Sequence, residues 1–346
     1  MKKSIFFLSL LAAFSFVSCE KSNVGAGDYV TAEFTIVAPE ELATKANFIG
    51  DGTNAKNLVF AVYPYDFAAG ADNTQAVELP DLRQGDWKNG QQAITFGADL
   101  TATVKVTLLR GRAYQFVCWA QNPSATCYDF SDMSKIVVDY DGAVSQDDAK
   151  RDAFYAYDYT RDASNNVVKV TQGFSQTITL RRPFAQINVG AEDMSAAKSA
   201  GLDITKIYSS MTVSDIATEL YTLSGEVGKT EKVTFSKALA ITQGAGTEML
   251  KVNASGYENK TYGWLAMNYV LVNTKESATN TTHEVVVNLY DDAEELLSSH
   301  TTTNVTLARN YRTHLLGNVL TAEGTINVVI DPIFFEPDNV ANVPLR

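Results

Sequence analysis

Apolar and polar residues alternate along most of this chain, with the period of two that places successive side chains on opposite faces of a β-strand. The clearest example is Tyr29–Val37. One face of that strand would carry Val30, Ala32, Phe34 and Ile36. These segments are rich in Val, Thr, Tyr and Phe and turn residues separate them, which predicts an all-β fold of antiparallel β-sandwiches. The other segments of this kind are Leu58–Tyr63, Thr103–Leu109, Tyr114–Trp119, Ile136–Tyr140, Thr177–Leu180, Ala185–Val189, Lys206–Val213, Lys232–Phe235, Tyr262–Val272, Glu284–Tyr290, Thr303–Leu307 and Thr325–Ile330.

Helical signals are sparse, so we expect only one or two short connector helices. Asp193 is placed to cap a helix over Met194–Ala200, and Gly201 suits its exit. A second candidate is Asp291–Leu297, a short acidic excursion between strands. Neither is longer than about two turns.

The N-terminus is typical of an exported protein. Lys2 and Lys3 precede an apolar run, Ile5–Val17, which is shorter than the roughly 20 residues of a spanning helix. Ser18 and Cys19 then resemble the junction of a bacterial lipoprotein signal, in which Cys19 is lipidated after removal of residues 1–18. The alternative is an ordinary secretory signal with an incidental cysteine. With either signal the protein leaves the cytoplasm.

The net charge limits the binding partners that the protein can have, and the cysteine content limits its possible disulfides. The formal net charge of −12 argues against binding to nucleic acid or to anionic lipid through charge. Export makes a disulfide between Cys118 and Cys127 chemically feasible. The alternative is two buried thiols that pack as small apolar side chains.

A search for catalytic or metal-binding patterns finds little. The three histidines, His283, His300 and His314, have no metal-ligand spacing; the first two lie in polar surroundings and are expected to be solvated. Gly225–Thr230 imitates a phosphate-binding loop but is interpreted as a hairpin turn. Asp139–Gly142, with Asp147 and Asp148 nearby, favours an acidic turn over a calcium site. We therefore expect no enzyme, no metal and no cofactor.

Three features together resemble the fimbrillin family, the subunits of type V pili from Gram-negative anaerobes. The first is the lipoprotein start followed by the strand Tyr29–Val37. The second is residues 180–190, Leu-Arg-Arg-Pro-Phe-Ala-Gln-Ile-Asn-Val-Gly. The third is residues 307–318, which contain Arg-Asn-Tyr-Arg-Thr shortly before the last predicted strand. Taken alone, Arg181 and Arg182 would also suit the solvated start of a strand.

The resemblance implies two transthyretin-like β-sandwich domains and assembly by strand exchange. In polymerising members a protease removes the N-terminal strand, and a neighbour's C-terminal segment fills the groove. The matching cleavage site here is Lys45-Ala46, where Lys45 departs from the family's arginine, and the matching donor is Thr325–Phe335. The predicted organisation is a signal peptide (1–18), a lipid-anchored segment with the removable strand (19–45), an N-terminal domain (46–175) and a C-terminal domain (176–346).

The resulting hypothesis is a non-enzymatic fimbrial structural or accessory subunit that contributes to adhesion. Its expected partners are other pilus subunits, including copies of itself, and the outer membrane through its lipid. The alternative is a glycan-binding surface lipoprotein that stacks sugars on Trp87, Trp119 or Trp264. An exported hydrolase is the third hypothesis.

Overall fold

The computed structural model describes ten stretches of the chain. They are residues 28–38, 55–65, 91–96, 101–145, 149–240, 249–252, 254–257, 260–272, 282–321 and 326–331. Cys19, Lys45, Ala46 and Trp87 lie outside the described residues.

The described fold is almost entirely β-structure, as the alternation predicts. The strands are β1 (Tyr29–Val37), β2 (Asn57–Tyr65), β3 (Gln91–Thr95), β4 (Thr101–Leu109), β5 (Ala113–Gln121), β6 (Tyr128–Asp129), β7 (Lys135–Val138), β8 (Ala153–Tyr159), β9 (Phe174–Thr179), β10 (Phe184–Ala191), β11 (Tyr208–Tyr221), β12 (Glu226–Leu239), β13 (Leu250–Lys251), β14 (Thr261–Leu271), β15 (Thr282–Tyr290), β16 (Leu296–Thr306), β17 (Arg312–Gly317) and β18 (Asn327–Asp331). Two short helical elements lie among them, α1 (Met194–Ser199) and a 3-10 turn (Ala149–Arg151). No helix in the described ranges is long and apolar enough to cross a membrane.

The strands form three sheets. A three-stranded sheet has the order β4-β1-β9, and a four-stranded sheet has the order β3-β2-β5-β8. The third sheet follows the path β16-β15-β11-β14-β10-β17-β18, with β12, β13, β6 and β7 attached beside it.

The four-stranded sheet is the central layer of the molecule. On one face Phe60 and Phe116 pack with the three-stranded sheet in a smaller hydrophobic cluster. On the other face Tyr63, Trp119 and Tyr155 join a larger cluster with the strands of the third sheet. All nine residues of β5 are therefore buried. Because both faces of this strand are covered by other strands, most of its residues are apolar.

Not every strand pair is antiparallel. β1 pairs with β9 in parallel, and β10 pairs with β17 in parallel. The partners in each pair are far apart in sequence, which satisfies the need of parallel strands for a long connection. Period-two alternation is the same for both orientations, so it could not distinguish them.

Several local expectations need correction. α1 ends at Ser199, and the Asp193 side chain does not cap it. Asp291–Leu297 is not a helix, because Glu294 and Asp291 close a turn and β16 starts at Leu296. The expected boundary between residues 175 and 176 falls inside β9, which belongs to the three-stranded sheet, while β7 from the first half pairs with β11.

Both cysteines pack as buried, small side chains in the hydrophobic core. Cys118 belongs to the smaller hydrophobic cluster and Cys127 to the larger one. Each is a buried thiol in the structure, with no disulfide between them. Burial raises the pKa of the Cys118 thiol, which keeps it protonated and unreactive.

Candidate functional site

The first strand is enclosed within its sheet. All nine residues of β1 pair antiparallel with β4, from Tyr29 opposite Leu109 to Val37 opposite Thr101. On its other side the stretch from Ala32 to Val37 pairs in parallel with β9. β1 thus occupies a slot with hydrogen-bonding partners on both sides, and it is not an edge strand.

The inward face of β1 completes the smaller core. Its four inward side chains are at most 7% exposed: Val30, Ala32, Phe34 and Ile36. The Phe34 ring centroid lies 4.4 Å from that of Phe116, 5.1 Å from that of Phe60 and 5.7 Å from that of Phe174. Phe34 therefore contacts β2, β5 and β9 at once, which makes it the anchor of the strand.

The outward face of β1 is polar and solvated. Thr31 is exposed, and Glu33 pairs with Lys105 of β4 at 3.0 Å, with the two side chains 45% and 56% exposed. Exposed ion pairs of this kind contribute about 1 kcal/mol or less to stability. The attachment of β1 thus depends on main-chain hydrogen bonds and on the inward face.

The chain before β9 approaches β1 very closely. A Cβ atom at Gly173 would lie 2.9 Å from the backbone oxygen of Thr31. Because a backbone oxygen cannot move away as a side chain can, only glycine fits at this position without displacing β1.

Together these features define the β1 slot: β1 between β4 and β9, over the core of the smaller cluster. Within the described residues, β1 is held there by main-chain pairing, by alternate apolar side chains and by one exposed ion pair. Any strand with the same alternation can in principle make the same interactions, which is the chemistry of β-strand addition.

The second and third sequence motifs meet in space. β10 and β17 are neighbours in the third sheet, with Gln186 opposite Arg312. Just before β10, Arg182 is fully buried and donates to the Asp152 carboxylate at 2.6 and 2.8 Å. It also donates to the Asn310 side chain at 3.3 Å. The interpretation of Arg182 as a solvated residue is therefore wrong, although the neighbouring Arg181 is only partly buried.

The polar residues of the second motif continue this buried network. Gln186 donates to the Tyr269 hydroxyl at 3.0 Å, and Asn188 donates to Gln186 at 3.1 Å. The Trp264 indole donates to Asn188 at 3.0 Å. Since buried polar groups are costly unless they are paired, these contacts fix β10 against its neighbours and explain the motif as a packing element.

Two of the three candidate sugar platforms, Trp119 and Trp264, are inside the protein, and the third, Trp87, lies outside the described residues. Trp119 is fully buried and Trp264 is 5% exposed. Both indole N–H groups are used internally, that of Trp119 by Gln121 at 2.7 Å. Neither ring can stack on a sugar at the surface.

The histidines expected to be solvated are buried as well. His283 is 5% exposed and contacts the Ser214 carbonyl at 2.8 Å through Nδ1. His300 is 8% exposed, and the third histidine, His314, is fully buried. Among the described residues no group of His, Cys, Asp or Glu side chains could hold a metal ion. At the acidic turn the Asp139 side chain accepts from the Asp141 backbone N–H at 2.8 Å, while Asp147 and Asp148 lie outside the described ranges.

Two structurally important residues, Asp152 and Gly173, had no recognisable signal in the sequence, and a third was given the wrong role. Asp152 and Gly173 act only through partners far along the chain. Asp193 had a signal, its position before a helix, but that signal assigned the wrong partner.

Several solved structures are similar to this one. One is a protein from Bacteroides thetaiotaomicron proposed to bind polysaccharide (DUF1812), with 12% identity, 87% of this chain and 97% of that chain covered, and a TM-score of 0.44. A second is the C-terminally truncated tip fimbrial protein Mfa3 from Porphyromonas gingivalis, with 12% identity, 88% of this chain and 99% of that chain covered, and a TM-score of 0.39. A third is the fimbrial anchor protein Mfa2 from the same organism, with 10% identity, 87% of this chain and 99% of that chain covered, and a TM-score of 0.40.

With TM-scores below 0.5, these likenesses do not show the family, which the sequence identifies. No curated protein matches the chain. Residues 28–345 match the model of one family, which covers all the described strands. The chain therefore belongs to the family described as "Family of unknown function (DUF6562)".

Proposed function

We propose that this protein is a non-enzymatic structural or accessory subunit of a cell-surface fimbria, which assembles by β-strand exchange and contributes to adhesion. The observation that supports it most strongly is the β1 slot. A strand near the N-terminus lies between two others and fills the core with alternate side chains. The three motifs that resemble fimbrillins agree with this function.

The burial energy of the inward side chains of β1 is large enough to drive the exchange of one strand for another. Fully burying a Val, Ile or Phe side chain contributes about 1.5–3 kcal/mol. Val30, Phe34 and Ile36 together therefore contribute several kcal/mol, a large part of the roughly 5–15 kcal/mol that stabilises a domain. A protein that lost β1 would gain this energy back by accepting a strand from another copy.

The donor that we favour is Thr325–Phe335. Its described part includes β18, where Val328 and Ile330 alternate with Val329. Pro332 follows directly and suits only the end or edge of a paired segment.

Export and processing belong to the same proposal. Cys19 carries the lipid that anchors the precursor in the outer membrane, and cleavage between Lys45 and Ala46 separates β1 from the rest. Metabolic labelling with a fatty-acid analogue should mark the wild type and spare Cys19→Ser. Equal labelling of both proteins would exclude lipidation at this residue.

The decisive experiment removes β1 and then returns it. A chain beginning at Ala46 should oligomerise or lose stability, whereas a chain beginning at Glu20 should stay monomeric. A synthetic peptide of residues 29–37 should bind the shorter chain and restore a monomer. The matched control is the same peptide with Phe34→Asp, which should not bind because it places a charge in the core.

A contrary result would favour the alternative function. If the chain beginning at Ala46 is monomeric and as stable as the longer one, strand exchange at this slot is wrong. The protein would then be better described as a glycan-binding surface lipoprotein, and a glycan array would test that description. Its binding aromatics would have to be other than Trp119 and Trp264, because both are buried.

A further inference from the structure

The chain between β17 and β18 is held by side chains from two distant elements. The segment Val319–Thr321 begins two residues after Gly317, the last residue of β17, and β18 begins at Asn327. Val319 is fully buried and Leu320 is 8% exposed. We call Val319–Thr321 the root segment of β18.

Asp193 holds the amide side of the root segment. Its Oδ1 accepts from the backbone N–H of Val319 at 3.3 Å. Its Oδ2 accepts from the N–H groups of Leu320 and Thr321 at 3.0 and 2.8 Å, and from the Thr321 hydroxyl at 2.8 Å. The Asp193 residue is only 6% exposed, so these four donors replace the water that the carboxylate would otherwise bind.

Two side chains of β16 hold the carbonyl side. The Ser298 hydroxyl donates to the Val319 oxygen at 2.7 Å, and His300 donates to the same oxygen from Nε2 at 3.1 Å. The root segment is thus fixed by hydrogen bonds on both sides, from residues more than 18 positions away in the sequence.

The strands on either side of the root segment differ sharply in burial. All six residues of β17 are buried, and β17 pairs with both β10 and β18. Among the described strands β18 pairs only with β17, and Val328 and Ile330 are 36% and 40% exposed. Local opening favours elements with few buried contacts, so β18 should open far more easily than β17.

We propose that Asp193, Ser298 and His300 form a clamp on the root segment, so that β18 can leave the sheet while everything up to Thr321 stays in place. The clamp defines where the releasable segment begins, and it prevents opening from spreading into β17. This inference rests on the proposed function in one respect: the partner for the released strand is the β1 slot of a second copy of this chain.

Hydrogen exchange on the monomeric chain beginning at Glu20 tests the clamp without requiring assembly. In the wild type, the amides of β18 should exchange at least about tenfold faster than those of β17 and of the root segment. In Asp193→Asn, which keeps the size but replaces one acceptor oxygen with a donor, the root segment and β17 should exchange at least about tenfold faster than in the wild type.

A matched control is Asp203→Asn. Asp203 accepts locally from the Thr205 N–H and hydroxyl at 3.0 and 2.6 Å and is exposed, so the same chemical change should leave exchange in β17 and β18 unaltered. If Asp193→Asn does not fold, Ser298→Ala removes one bond of the clamp and should raise exchange in the root segment more than in β10.

Two results would overturn the inference. One is equal protection of β17 and β18 in the wild type, and the other is unchanged exchange in the root segment of both clamp variants. Neither result bears on the β1 slot, which is tested by the chain beginning at Ala46. Failure of the clamp and failure of strand exchange are therefore distinguishable.

Discussion

Replacing Phe34 with alanine should destabilise the protein strongly. The side chain is fully buried and its ring lies within 5.7 Å of three other phenylalanine rings, from β2, β5 and β9. A Phe→Ala change in a core typically costs about 3–5 kcal/mol, through lost burial plus the cavity left behind. Because the rings around it come from three strands, the site cannot close easily, so we expect a value in the upper half of that range.

Glu33→Ala is the matched control, one residue away on the opposite face. Its carboxylate makes an exposed pair with Lys105, so the expected loss is about 1 kcal/mol or less. Both variants keep the backbone pairing of β1. Urea unfolding of the chain beginning at Glu20, followed by circular dichroism, should therefore separate them by about 2 kcal/mol or more.

A loss of unfolding free energy below about 1 kcal/mol for Phe34→Ala, or one no larger than that for Glu33→Ala, would contradict this prediction. Either outcome would mean that β1 is not integrated into the core in solution. The β1 slot would then have no energetic basis.

Three further predictions concern buried groups. Arg182→Gln should cost about 3–5 kcal/mol in urea unfolding, because it leaves the buried Asp152 carboxylate without its charged partner, and a loss below about 1 kcal/mol would contradict the ion pair. The Cys118 thiol, whose pKa burial raises, should not react with Ellman's reagent in the native protein at pH 8 but should react in urea; native reactivity would show that it is accessible. Gly173→Ala should weaken β1 and speed exchange of its amides, because the new methyl group would collide with the Thr31 oxygen, and unaltered exchange would argue against that close approach.

The sequence predicts those features of the fold that repeat over short distances. The bounds of β1 and the choice of its buried residues follow from alternation alone, and the structure agrees at every position. Gly225 likewise lies in a hairpin turn, between β11 and β12. Such patterns are visible because neighbouring residues are enough to define them.

Contacts between distant parts of the chain could not be predicted in this way. For Arg182 the sequence left open a solvated position at the start of a strand, because its partner Asp152 precedes it by 30 positions. Asp193 was assigned to a helix cap, the usual role at that position, but its donors lie at Val319–Thr321. In both cases the residue type was informative, since a charged group must find a partner when it is buried, and only the identity of the partner was missing.

The arrangement of β1 recurs in the third sheet, which helps to explain why β1 is the strand suited to exchange. β10 also lies between an antiparallel neighbour, β14, and a parallel one, β17. All eight residues of β10 are buried, however, and the Arg182–Asp152 ion pair precedes it. β1 buries only alternate residues and leaves Thr31 and Glu33 facing solvent. Removing β10 would uncover two faces and a buried charge, whereas removing β1 uncovers one apolar face, which a single incoming strand can cover again.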